Sequence, residues 1–365
     1  MKTSTTKTKT SAASTTRTIL AVDLGKYKSL ACAYDGDPAS ARCVTFPTDR
    51  EHLRRLFAKY RPAVVVIEAC ALAGWVHDLC VACGLPCKVA NTAAEAWKLK
   101  HSKRKTDKDD ALRLAQLEAL GILPTVVMPP LQTRQWRSLI AYRQTLVGGR
   151  VATQNRIRAL LLAQGLPAPR GHRAWTELGL QGIAAHAKPL AECGPEELWR
   201  GQLGLALREL QQTRGLILQT EQRLDQLAQA DKNVRLLETA PGLGTRTGEA
   251  IAAHLHDPGR FHTGKQVSAF SGLVPRQFQS GESDRRGRIT RRGPAVLRKL
   301  LVQCAWAMLR YNAWARGVFA RLTRGRKSRR KQAIVALARK ILVRCWAMLR
   351  DQTPWRDAAP AAVPA

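Results

Sequence analysis

From Thr18 onward the apolar and β-branched residues fall into strand-sized runs, and the connections between those runs are of two kinds. The runs at 19–24, 30–34 and 42–46 are separated only by the short polar stretches 25–29 and 35–40, which predicts an antiparallel meander of three strands. A helical stretch at 48–59 then leads into the wholly apolar run 63–67. A second helix near 74–83 and a turn at Gly84, Leu85 and Pro86 lead into a short strand at 87–90. A meander that gives way to strands alternating with helices predicts a mixed sheet with helices on its faces.

Beyond residue 130 the pattern is helical. Residues 131–166 mix Arg134, Arg137, Arg143, Arg150, Arg156 and Arg158 with Leu139, Ile140, Leu146, Ile157, Leu160 and Leu161, and Gly148 and Gly149 weaken the middle. After a Gly-, Pro- and His-rich connection, Leu203, Leu210, Ile217 and Leu224 recur every seven residues, a coiled-coil seam interrupted by Arg214. These two helices predict either an arm or a helical hairpin packed on the body. After Asp231 the chain is helical again, with breaks at Pro241, Gly242 and Gly244, at 272–275, at 281–293 and at Gly325.

Charge narrows the partners. The 365 residues carry 60 Lys and Arg against 27 Asp and Glu, a formal surplus of +33. That surplus argues against a neutral metabolic enzyme and for a polyanionic partner, nucleic acid first. Its distribution is uneven, because no acid occurs between Arg285 and Arg350. No run approaches the roughly 18 apolar residues a membrane span needs, so the expectation is a soluble, cytoplasmic protein with no membrane partner. Nine cysteines, an odd number set mostly in apolar runs, suit reduced thiols rather than a disulfide framework.

Four acids stand where chemistry could use them. Asp23 lies between apolar Val22 and Leu24, where a buried carboxylate needs a cation or hydrogen-bond donors. Glu68 ends the apolar strand, at the carboxyl edge where parallel-sheet sites form. Asp107 and Asp110 stand three apart at a helix start, on one face. Singly, each reads as a cap, a turn or a helix-dipole partner. Together they supply the oxygen ligands that Mg²⁺ and two-metal phosphodiester chemistry require. Asp109, between the last two, reads as a solvated acid.

Two further elements point to phosphate. Pro241-Gly242-Leu243-Gly244 between helices resembles a helix-hairpin-helix element, in which Gly242 and Gly244 let backbone N–H groups approach a phosphate; the alternative is an ordinary turn between core helices. Ser280 precedes Gly281 in a polar stretch read as flexible, near Arg276, Arg285, Arg286, Arg288, Arg291 and Arg292. A serine hydroxyl can attack a phosphodiester if its proton is taken up and guanidinium groups meet the developing charge. The alternative is a plain loop serine, and Ser283 is the local rival.

These residues resemble a family. Val22-Asp23-Leu24-Gly25, Ile67-Glu68-Ala69, Thr106-Asp107-Lys108-Asp109-Asp110-Ala111, Asn155-Arg156-Ile157-Arg158-Ala159-Leu160-Leu161, Pro241-Gly242-Leu243-Gly244 and Phe270-Ser271-Gly272-Leu273-Val274-Pro275-Arg276 through Ser280-Gly281 are similar, in that order, to the DEDD insertion-sequence transposases of insertion-sequence family one-hundred-ten. The resemblance implies an α/β plus α protein. Residues 18–128 would form a RuvC-like, RNase H-fold catalytic domain binding Mg²⁺ through Asp23, Glu68, Asp107 and Asp110. Residues 129–232 would form a helical or coiled-coil arm, and 233–355 a helical transposase domain with the serine loop. Residues 1–17 and 356–365 would be a disordered basic arm and tail.

The implied activity is DNA transposition through a covalent phosphoserine link at Ser280, on double-stranded donor and target DNA, guided by a non-coding bridge RNA. The implied assembly is a homodimer or homotetramer with a composite site. The glycines and arginines named above, with Arg156 and Arg158, are the expected nucleic-acid contacts. A junction-resolving nuclease using the acids alone and a non-catalytic nucleic-acid-binding regulator remain as alternatives. The sequence departs from the family pattern after Glu68, where Cys70-Ala71-Leu72-Ala73-Gly74 replaces a shorter Thr-Gly or Ser-Gly turn.

Other signals read as structural. His77, Cys80, Cys83 and Cys87 have a zinc-like spacing but mostly ride one helix that a sheet should cover. Tyr311 lacks the partners of a tyrosine recombinase, and Trp306, Trp314 and Trp346 read as packing residues. The basic run 324–331 reads as a phosphate-contacting face.

Overall fold

The computed structural model describes residues 18–91, 94, 106–167, 169–281 and 283–356; the expected basic arm at 1–17 and nearly all of the expected tail lie outside them. The chain divides into two compact units after Leu131.

The first unit is built on a six-stranded mixed sheet in the order β3-β2-β1-β4-β5-β6. Its strands are β1 (Ile19–Asp23), β2 (Lys28–Tyr34), β3 (Arg42–Pro47), β4 (Val64–Glu68), β5 (Cys87–Ala90) and β6 (Thr125–Val126). The meander is antiparallel, β1, β4 and β5 run parallel, and β6 returns antiparallel on the edge. The edge strand has only two residues, both exposed, too short to leave a pattern in the sequence. The three helices of the unit are α1 (Arg50–Tyr60), α2 (Ala73–Ala82) and α3 (Asp107–Ala119).

Alternation along the strands decides what each helix covers. Leu20, Val22, Val65, Ile67 and Val89 pack with Leu53 and Phe57 of α1 and Val76 and Leu79 of α2. Ile19, Ala21, Val66 and Ala90 face the other way, onto Leu114 and Ala115 of α3. Burying both faces explains why the central strands are apolar throughout.

The second unit is mainly helical, with α4 (Leu131–Ala163), α5 (Glu177–Ala184), α6 (Leu198–Ala230), α7 (Lys232–Glu238), α8 (Thr245–Leu255), α9 (Gly264–Ser271), α10 (Ala295–Tyr311), α11 (Ala313–Thr323) and α12 (Arg330–Asp351). Between α9 and α10 lies a two-stranded hairpin of β7 (Pro275–Ser280) and β8 (Ser283–Ile289). This ribbon replaces the flexible polar stretch expected around Ser280.

Helices α4 and α6 form an antiparallel pair. Arg143 donates from Nε to Glu221 Oε1 at 2.8 Å, and Thr153 donates to Glu209 Oε1 at 2.8 Å, so numbers rise along one helix as they fall along the other. At one end Ile140, Leu224 and Ala228 belong to the core of the C-terminal helices; at the other, Ile157, Leu161, Leu203 and Leu210 form a smaller core with Ile183. Leu203, Leu210, Ile217 and Leu224 are all buried while Arg214 is exposed, so Arg214 does not interrupt the seam. Helix α4 also runs unbroken through Gly148 and Gly149. Two glycines cost about 1 kcal/mol each against alanine, which packing against α6 offsets.

Candidate nuclease and strand-transfer site

The parallel pairing of β1 with β4 aligns Val22 with Ile67, so the next residues, Asp23 and Glu68, stand side by side at the carboxyl ends of neighbouring strands. Alternation puts both on the face that carries Ile19, Ala21 and Val66, the face covered by α3. Both carboxylates are half-buried. Helix α3 packs on β1, β2 and β4 and brings Asp107 and Asp110 in its first turn. Lys108 in that turn acts electrostatically on the Cys32 thiol, and Cys32 pairs with Ala21, two residues before Asp23. Register, alternation and helix placement thus converge on one side of one sheet.

The convergence is incomplete as a ligand set: among the described residues, no three His, Cys, Asp or Glu side chains cluster closely enough to hold a metal ion. The donor chemistry suits a hard divalent cation, since all four groups offer carboxylate oxygen. The same observation leaves His77, Cys80, Cys83 and Cys87 without a zinc cluster.

Two residues that sequence reasoning passed over, Ser29 and Thr48, hold the Gly25 turn just past Asp23. Ser29 and Thr48 share a hydroxyl hydrogen bond at 2.7 Å, Thr48 donates to the Gly25 carbonyl at 2.9 Å, and the Gly25 N–H donates to Ser29 Oγ at 3.3 Å. A Cβ at Gly25 would collide with the Lys28 carbonyl oxygen, so the turn just past Asp23 accepts only glycine. The signal was present in the Asp23-Leu24-Gly25 order. Asp109 is not merely solvated: Thr106 donates to its carboxylate at 2.6 Å and accepts from its backbone N–H at 3.2 Å, closing the α3 cap.

Ser280 ends β7 in the second unit, exposed, with Gly281 at φ 55 forming the tip. Phe278 lies opposite Arg285 and Ser280 opposite Ser283, while Gln277 lies opposite Arg286. Arg285 therefore shares the face of Ser280 and Ser283, and Arg286 points to the other; the register slips between Pro275 and Gln277, so alternation does not extend to Arg288. Arg276 joins the serine's face, since a Cβ at Gly287 would meet Phe278 and Arg276.

The ribbon's root is clamped. Gly272 and Gly293 both have positive φ, and a Cβ on either would strike the backbone of Arg292 or Phe270. Arg298, another residue the sequence did not single out, donates from Nη1 to the carbonyls of Arg292 at 2.9 Å and Gly293 at 2.8 Å. The Gly272 carbonyl accepts from the Arg291 N–H at 3.1 Å.

At Pro241-Gly242-Leu243-Gly244, Gly242 (φ 86) sits so close to α10 that a Cβ would lie 3.0 Å from Met308 Cα. Asn312, 1% exposed, donates to the Pro241 carbonyl at 3.4 Å. Gly242 is thus a packing glycine. Gly244 caps α8 with open space around it. Arg156 is paired with Glu209 at 2.6 Å; Arg158 donates to the Pro169 carbonyl at 3.0 Å and lies over the Trp175 ring. Arg156 braces the α4–α6 pair, and Arg158 ties α4 to the connection that follows it.

Comparison with known proteins decides the family. Residues 20–164 match the DEDD transposases of the IS110 type, and residues 234–320 match the IS116/IS110/IS902 transposases. A probable family 20 transposase of Pseudomonas aeruginosa is 31% identical over 84% of this chain and 90% of its own. The chain belongs to the IS116/IS110/IS902 transposase family. The transposase for insertion sequence element IS1111A of Coxiella burnetii is 29% identical over 93% of this chain and 92% of its own. The corresponding figures for the IS1328 transposase of Yersinia enterocolitica are 27%, 83% and 89%. In this transposase the first match holds the four acids and the helix α4, and the second holds Ser280 and its ribbon. Among the described residues no helix is long and apolar enough to cross a membrane.

Proposed function

We propose that this transposase recombines DNA through metal-assisted chemistry at Asp23, Glu68, Asp107 and Asp110 and strand transfer through Ser280, guided by a non-coding RNA. The observation that carries the reading is the β1–β4 register, which sets Asp23 beside Glu68 on the α3 face of a mixed sheet whose order suits an RNase H-like, RuvC-type fold. On this reading 18–128 is the catalytic domain, 129–232 the arm and 233–355 the transposase domain.

Mg²⁺, held by carboxylate oxygens of the four acids, would polarise a phosphodiester and stabilise the departing oxygen. The chain's own work is positioning and charge. The Ser29–Thr48 network fixes the end of β1, and the cap at Thr106 fixes the start of α3. At Ser280 the bond from Oγ to phosphorus forms as a phosphorus–oxygen ester bond of the strand breaks. The hydroxyl proton passes to a base and the departing oxygen gains one, so the reaction is an isoenergetic ester exchange. Arg285 and Arg276, on the serine's face, meet the charge that builds on the phosphoryl oxygens. Donor and target DNA duplexes and the guide RNA are the partners, and a homodimer or homotetramer would unite acids and serine from different copies.

The test compares Asp23→Asn and Ser280→Ala in a strand-exchange assay with Mg²⁺ and the co-purified RNA. Both variants should lose recombination by at least about a thousandfold while binding nucleic acid as wild type does, and only the wild type should yield a serine-linked DNA product. Cleavage without an adduct in both wild type and Ser280→Ala would replace this reading with a nuclease that uses the acids alone.

A further inference from the structure

Helices α9, α11 and α12, with Val274 just before the serine ribbon, line an open groove of about 660 Å³. Five cations line it: Lys265 from α9, Arg321 from α11, and Arg339, Lys340 and Arg344 from α12. No carboxylate does. The groove residues of α11 and α12 belong to the segment from Arg285 to Arg350, which has no acid at all. One wall is aromatic: Trp314 lines the groove, meets Trp355 edge-on at 5.3 Å, and carries the Arg344 guanidinium 4.7 Å from its ring centre. Arg344 also lies 4.0 Å from the Trp355 ring, and its Nη2 donates to the Arg356 carbonyl, so it is a fixed rather than a wandering charge.

Five like charges around one concavity repel each other, and the cost is relieved when an anion enters. A basic trough in which one cation, Arg344, is held by two indole rings, over an apolar floor of Val318 and Val343, is an arrangement that suits a single strand: phosphates on the cations, unpaired bases over the apolar surface. A duplex keeps its bases stacked inside and would offer the groove only its outer backbone. We infer that the α9–α11–α12 groove is a binding site for the phosphate backbone of a single-stranded stretch of nucleic acid, separate from the helix-hairpin-helix turn and the serine ribbon. The inference rests on the nucleic-acid part of the proposed function and not on its catalytic part.

The test uses the full chain and fluorescence anisotropy with a labelled DNA single strand, the matching RNA single strand and the DNA duplex, over a range of salt and without divalent cation. The variant Arg321→Ala/Lys340→Ala removes two exposed charges from facing walls; Arg214→Ala/Arg223→Ala removes two exposed charges from α6 as the matched control. The groove variant should bind single strands about tenfold more weakly and lower the log–log salt slope by about 1.4, with the control close to wild type. Lys265→Glu, on the α9 wall, should weaken single-strand binding as well. The strand hit harder, DNA or RNA, identifies the source. Groove and control variants that bind alike, or a loss confined to duplex, would overturn the site while leaving the transposase reading intact. Wild-type protein that binds no strand would overturn both.

Discussion

Glu249 of α8 is 1% exposed, and burial pushes its carboxyl up to about 8 despite the pull of Arg246, whose Nη1 lies 3.3 Å away. Burial wins because the Arg246 guanidinium is shared with Asp225, so its charge is already partly spent. From its ordinary 4.5 up to about 8, the folded chain holds a proton at Glu249 that the unfolded chain has released. Stability from this residue is therefore complete below the lower value and lost as pH rises through the upper one, each unit of displacement being worth about 1.4 kcal/mol. His254 acts in the opposite sense: burial, with Arg137 and Arg260 adding to it, pushes it from 6.5 down to about 3, so its contribution is lost on acidification below 6.5. The interval from 6.5 to 8 isolates Glu249 from His254. Across it, the unfolding midpoint of wild type should fall relative to that of Glu249→Gln; a constant difference between the two melting curves would show that the carboxyl is ionised throughout.

Single elements show where glycine is indispensable and where it is not. Gly242→Ala must hold a positive φ and press a methyl on Met308, which should cost about 2 kcal/mol or more. Gly244→Ala meets open space at ordinary φ and should melt within about 0.5 kcal/mol of wild type. Calorimetry on the pair checks this, and equal melting temperatures would mean that the turn does not pack on α10 as described. The sequence could display these glycines but not what they approach, because Met308 lies far along the chain. The same limit separates what was legible elsewhere. The meander, the alternation and the heptad seam are local periodicities and appeared in the order expected. The ribbon around Ser280 did not, because its strands are exposed on both faces and leave no apolar alternation to read. Asp23 and Glu68 were visible as polar ends of apolar runs. The bracing was not: Ser29 and Thr48 at the turn after Asp23, and Arg298 at the root of the ribbon, act through pairings that only the fold creates.

At the scale of the whole molecule, a surplus of +33 should make the protein's own fold salt-sensitive. Raising the salt from low values to about 0.5 M shortens the screening length below the spacing of most surface charges, so the melting temperature should rise. A flat or falling midpoint would show that local ion pairs, such as Arg143 with Glu221, outweigh the general repulsion. The ribbon has a mechanical consequence of its own. Two exposed strands have no core to stiffen them, while Gly272, Gly293 and Arg298 lock the base. With β7 six residues long, the hydroxyl at its end stands about 20 Å from that anchorage, and a tilt of about ten degrees sweeps it roughly 3.5 Å. If Ser280 attacks a phosphodiester as proposed, that sweep is the difference between touching a phosphorus atom and missing it, and whatever grips the tip would set the timing of the step.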